Sequence, residues 1–129
     1  RSSALDMPLS FEGARAANAT LGSGVIMVFD ETADLRDTLA RIAEFFKHES
    51  CGQCVPCRIG TVRQMELLKA VSAPSAALVN ELGQAMRDAS ICGLGQTAAS
   101  AIESAFANVP SLAQAPSPKP QAPSPGSRQ

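Results

Sequence analysis

The chain has 129 residues, with 11 Lys and Arg against 12 Asp and Glu and a formal net charge of -1. So even a balance makes no broad field to draw in nucleic acid or an anionic membrane, and no apolar run approaches the roughly 18 residues of a spanning helix. The expectation is about one small domain with a modest core, soluble and cytoplasmic, with no direct membrane insertion and no nucleic-acid partner.

The chain opens on Arg1 without an obvious initiation signal or a charged-then-apolar leader, so it is expected to be part of a longer protein. Ser10 stands where it can cap a short helix, with Gly22 placed to end it. Residues 24–30, "GVIMVFD", are apolar and rich in β-branched side chains, which predicts a strand. One strand cannot stand alone, so residues 1–31 are read as the end of a small α+β unit.

From Thr32 the period becomes helical. Leu35, Leu39, Ile42 and Phe46 share one face, and Thr32 or Asp34 supplies the cap. A second helix is predicted to start at Val55 or Pro56, because proline in the first turn loses no needed hydrogen bond, with Ile59, Val62, Met65 and Leu68 inward. A third, over 75–90, would bury Leu78, Leu82, Met86 and Ala89. A fourth, over 96–108, would bury Ala98, Ile102 and Phe106. The fold class is therefore mostly α, a four-helix bundle over 32–109, followed by a Pro/Ser-rich tail over 110–129 that is expected to be disordered.

Three of the four cysteines lie in "HESCGQCVPCRIGT", residues 48–61, at Cys51, Cys54 and Cys57. The fourth is Cys92 in "SICGLGQT". The first group falls between the first two bundle helices and Cys92 between the last two, so a bundle can fold both loops to one end. Three close thiolates and one remote one suit a 4Fe-4S cube, one cysteine per iron. Structural zinc also takes four thiolates, but commonly as two separated pairs. Disulfides fit the even count but belong to oxidising compartments, and no secretory signal is present.

The surroundings favour a cluster. Gly52, Gly93 and Gly95 are expected to give room for close backbone approach, and the helix beginning near Pro56 directs a positive terminus at the sulfurs. Arg58 can add to that field. His48, the sole histidine, is expected at the surface or beside the ligands rather than among them. Glu49, Glu66 and Glu103 read as ordinary carboxylates, so no catalytic residue is expected.

"ESCGQCVPCRIGT" followed by "SICGLGQTAASAIESA" resembles the C-terminal iron-sulfur domain found in the family of NADH-binding flavoprotein subunits. That family includes the 51 kDa-type subunit of respiratory complex I, the diaphorase subunit of NAD-linked hydrogenases and the beta subunit of NAD-dependent formate dehydrogenases. The wording is most similar to the formate dehydrogenase branch. The resemblance covers about residues 5–109. It implies that Cys51, Cys54, Cys57 and Cys92 bind the cluster, and that residues 1–31 end a β-grasp domain. It also implies electron relay from reduced flavin mononucleotide to further iron-sulfur and catalytic subunits, with NADH or formate as alternative ends of the chain.

The family's glycine-rich flavin and nucleotide loop is absent here, so FMN and NAD are expected in a missing N-terminal part and this chain is not catalytic alone. The competing reading from a different class is a zinc-stapled helical interaction module, colourless and redox-silent.

Overall fold

The computed structural model describes residues 6–17, 19–22, 24–70 and 74–114. Two compact units make up the chain, Arg1–Ala33 and Asp34–Gln129. In the first unit, α1 spans Phe11–Ala16, and the Ser10 hydroxyl accepts from the Gly13 N–H at 3.0 Å as expected of a cap. The helix closes at Ala17, well before Gly22.

Residues 24–30 form no strand, and none of the described residues does. The expected strand is thus corrected: its side chains stand in water, Val28 at 91% exposure, because no second strand is present among the described residues to take its backbone hydrogen bonds.

The second unit holds α2 (Leu35–Glu49), α3 (Val55–Lys69), α4 (Ala76–Ala89), α5 (Gly93–Thr97) and α6 (Ser100–Asn108), then a 3-10 turn at Pro110–Ala113. Asp34 caps α2, accepting from the Asp37 N–H at 3.1 Å, while Lys47 and His48 in the last turn suit the negative end of the helix dipole. Leu39, Ala40 and Ala43 of α2 join Leu68, Val79, Ile102, Phe106 and Leu112 in one core, with Leu35 and Met65 packed at its margin.

Two helices bury only part of the face that apolar periodicity predicts: Leu68 on α3 and Met86 on α4 are inward, with Met65 packed at the core margin, and other predicted positions are not. On α3 the buried residues are Cys57, Gly60, Thr61, Gln64 and Leu68, and Ile59 is 46% exposed. On α4 they are Val79, Gly83 and Met86, with Leu78 46% exposed and Ala89 at the surface. Small residues explain both departures. A Cβ on Gly60 would run into the Met86 thioether, and one on Gly83 would meet the Glu103 carboxylate and the Ala99 methyl at 3.0 Å. Close backbone approach at these glycines fixes which side faces inward.

The single helix expected over 96–108 is also two. Cys92 is the N-cap of α5, and the helix is interrupted at Ala98 and Ala99, both fully buried and in right-handed helical conformation, before α6. Ala98, Ile102 and Phe106 are inward, as the periodicity predicts. Residues 110–113, expected in the disordered tail, are ordered instead: Leu112 enters the core, and the Arg36 guanidinium donates to the Leu112 carbonyl at 2.6 Å and the Gln114 carbonyl at 3.0 Å. The rest of that tail, 115–129, lies outside the described residues. No helix among the described residues is long and apolar enough to cross a membrane.

Candidate metal centre

Both cysteine loops arise where one helix stops and the next begins. At the end of α2, Ser50 donates its N–H to the Phe46 carbonyl at 3.1 Å and leaves the helix with extended backbone. Gly52 then takes φ +76°, a left-handed conformation in which a side chain would be strained. Cys54 is the N-cap of α3, with Pro56 in the first turn. In the second loop Ser90 ends α4 and Cys92, in extended conformation, is the N-cap of α5.

These loops meet. The backbone N–H of Ile91, adjacent to Cys92, interacts with the Cys54 thiol and is the main cause of its lowered pKa. The N–H of Cys57 in the first turn of α3 is the next cause, and the Ser90 hydroxyl adds a smaller share. Donors that favour the charged form make Cys54 more readily a thiolate, the state that binds metal.

Cys57 is 4% exposed, with its sulfur 3.3 Å from the Ser50 hydroxyl oxygen and its carbonyl accepting from the Thr61 hydroxyl at 2.9 Å. Cys51 and Cys92 are exposed, Cys54 is half-buried, and none of the four is in a disulfide. Among the described residues, no three His, Cys, Asp or Glu side chains gather closely enough to hold one metal ion. Four thiolates on a cube, one to each iron, stand further apart than four around one ion.

The glycines divide differently from expectation. Gly95 is the one that gives room, since a Cβ there would stand 2.6 Å from the Ser90 Cβ and 2.8 Å from the Cys57 Cβ. Gly93 faces open space, and Gly52 is required for its φ rather than for crowding, its nearest neighbour being the Arg58 side chain at 3.7 Å. Arg58 and His48 are exposed. Glu66 pairs with Arg63 at 2.7 Å on the surface, whereas Glu103 is part-buried against Arg87, whose pKa it raises chiefly through their hydrogen bond.

Two residues escaped the sequence reading, Ser50 and Ser90. Their only signal was position, directly before Cys51 and two residues before Cys92. Ser90 is 6% exposed and its hydroxyl makes no well-directed hydrogen bond among the described residues. A buried hydroxyl with no well-directed partner beside Cys54 and Cys57, together with four free thiols from two converging loops, fits an iron-sulfur group with sulfur acceptors at this spot.

Comparison with known proteins agrees with that chemistry. The family model of the NADH-ubiquinone oxidoreductase-F iron-sulfur binding region matches residues 37–115, which include all four cysteines. The F subunit of NADH-quinone oxidoreductase from Streptomyces coelicolor is 39% identical over 107 residues, 79% of this chain and 24% of the relative. The corresponding F subunit from Mycobacterium tuberculosis is 35% identical over the same shares. The mitochondrial NADH-ubiquinone oxidoreductase 51 kDa subunit of Aspergillus niger is 30% identical over 96 residues, 70% of this chain and 19% of the relative. The chain thus spans about a quarter or less of these relatives' lengths. The cofactor of the matched region is a 4Fe-4S cluster. With well over half of its residues matched, the chain belongs to the NADH-ubiquinone oxidoreductase-F iron-sulfur binding region family.

Proposed function

We propose that Cys51, Cys54, Cys57 and Cys92 hold one 4Fe-4S cluster, and that residues 32–109 are the electron-relay domain of a flavin-containing NADH-quinone oxidoreductase subunit. FMN and NAD would bind to parts of that subunit outside these residues. The observation that carries this reading is the close packing at Gly95, where a Cβ would stand 2.8 Å from the Cys57 Cβ, which sets the loop of Cys92 against the loop of the other three cysteines.

The cluster supplies one-electron transfer and needs no proton from the protein. The work of the chain is to hold and polarise. Four thiolates provide one ligand per iron, and the N–H groups of Ile91 and Cys57 favour negative charge on the Cys54 sulfur. Gly52 turns the backbone so that Cys51 and Cys54 lie on either side of one bend. Electrons would enter from reduced flavin and leave to iron-sulfur centres of partner subunits. The relatives, named as NADH-quinone and NADH-ubiquinone oxidoreductase subunits, favour the respiratory assignment over the formate dehydrogenase one that the wording of the motif suggested.

The test is anaerobic reconstitution of the full chain with iron and sulfide. About four irons and four sulfides per chain are expected, with brown colour and an EPR signal after dithionite reduction that is lost in Cys92→Ala. Stoichiometric zinc with no colour and no EPR signal after the same treatment would overturn the relay in favour of the zinc-stapled module.

A further inference from the structure

We propose that the hydroxyls of Ser50 and Ser90 are positioning donors to the cysteinyl sulfurs, and that they raise the reduction potential of the cluster by stabilising its more negative, reduced state. This rests on the cluster assignment above.

Ser50 carries the more direct geometry. Its oxygen lies 3.3 Å from the Cys57 sulfur and also accepts, at 3.4 Å, from the Gly52 N–H. With that lone pair engaged and Cys57 bound as a thiolate, the sulfur has no proton to give. The hydroxyl proton therefore points to sulfur.

Ser90 is the complementary case. Its N–H reaches the Met86 carbonyl at 3.1 Å and its own carbonyl accepts from the Gln96 side chain at 3.1 Å, so both backbone groups are satisfied. Only its hydroxyl is left over, in a position 6% exposed. The same absent Cβ of Gly95 borders both Ser90 and Cys57, which places that hydroxyl against the sulfur loop.

Reduction adds one electron and no proton, and the added charge spreads onto the sulfurs. Fixed O–H dipoles aimed at sulfur stabilise that state more than the oxidised one, which is how hydrogen bonds to sulfur set potentials.

The test is an EPR-monitored potentiometric titration of the reconstituted full chain and of Ser50→Ala, Ser50→Thr and Ser90→Ala. Each alanine variant is expected to lower the ratio of reduced to oxidised cluster at fixed potential about tenfold, a negative shift of about 59 mV for a one-electron couple. Ser50→Thr, which keeps the hydroxyl, is expected to hold the original potential.

Fully loaded Ser50→Ala and Ser90→Ala at the original potential would overturn the proposal. Ser50 is only half-buried, so its alanine variant decides the matter even where Ser90→Ala loads poorly. Failure of the cluster assignment looks different: the unmutated chain would then take up no iron and sulfide.

Discussion

At one end of the α3–α4 pair, Leu68 and Val79 join Leu39, Ile102, Phe106 and Leu112 in an apolar core. At the other end, Cys57, Gly60, Thr61, Met86, Ser90 and Gly95 are equally buried, yet most of them are polar or lack a side chain. The first end is held by area removed from water and tolerates approximate shapes. The second is held by close backbone approach and by hydrogen bonds to sulfur, so small additions matter more there than small deletions. The core that gives stability and the proposed metal site thus lie in different parts of one helical unit.

The largest expected effect comes from the apolar end. Phe106→Ala should destabilise the chain by about 3–5 kcal/mol, read as a lower urea midpoint, while the iron bound per folded chain stays the same. A loss of loading matching the loss of stability would erase the distinction between the two ends.

Gly95→Ala comes next. The new methyl has to displace Ser90 or Cys57, both close to backbone, at a cost of about 1–3 kcal/mol. Its sharper signature is reduced iron and sulfide content among chains that still fold, measured by metal analysis on the monomeric fraction. The smallest effect is Asp34→Ala, which removes the cap of α2 far along that helix from the cysteine loop. A loss of about 1 kcal/mol in denaturation is expected, with loading unchanged.

The cysteine end was legible in the sequence wherever residue type alone carries the chemistry. Cys51, Cys54, Cys57 and Cys92 suggest the thiolate site proposed above, and Pro56 and Asp34 mark helix starts that the structure contains. Ala98, Ile102 and Phe106 were legible as core because the apolar spacing runs on from the end of α5 into α6. The inward faces of α3 and α4 were legible only in part, at Leu68 and Met86. Apolar periodicity favours Ile59 and Leu78, whereas Gly60 against Met86 and Gly83 against Ala99 determine the packing, and glycines carry no hydrophobic signal.

The interruption at Ala98 and Ala99 was hidden for a related reason, since alanine is the best helix former and gives no warning of a break. Ser50 and Ser90 were passed over because a hydroxyl beside a cysteine declares itself only through distance. The strand expected over 24–30 failed on a non-local requirement: β-branched composition specifies a strand only where a neighbour can pair with it.

That unpaired segment has a practical meaning for anyone who handles the chain. Val25, Ile26, Met27, Val28 and Phe29 stand side by side in solvent, without a proline and without a charge until Asp30. Such a stretch is sticky towards its own kind, because two copies laid edge to edge satisfy the backbone groups that one copy leaves to water. A charged replacement at Val28, remote in sequence from every cysteine, is therefore expected to reduce self-association of the chain.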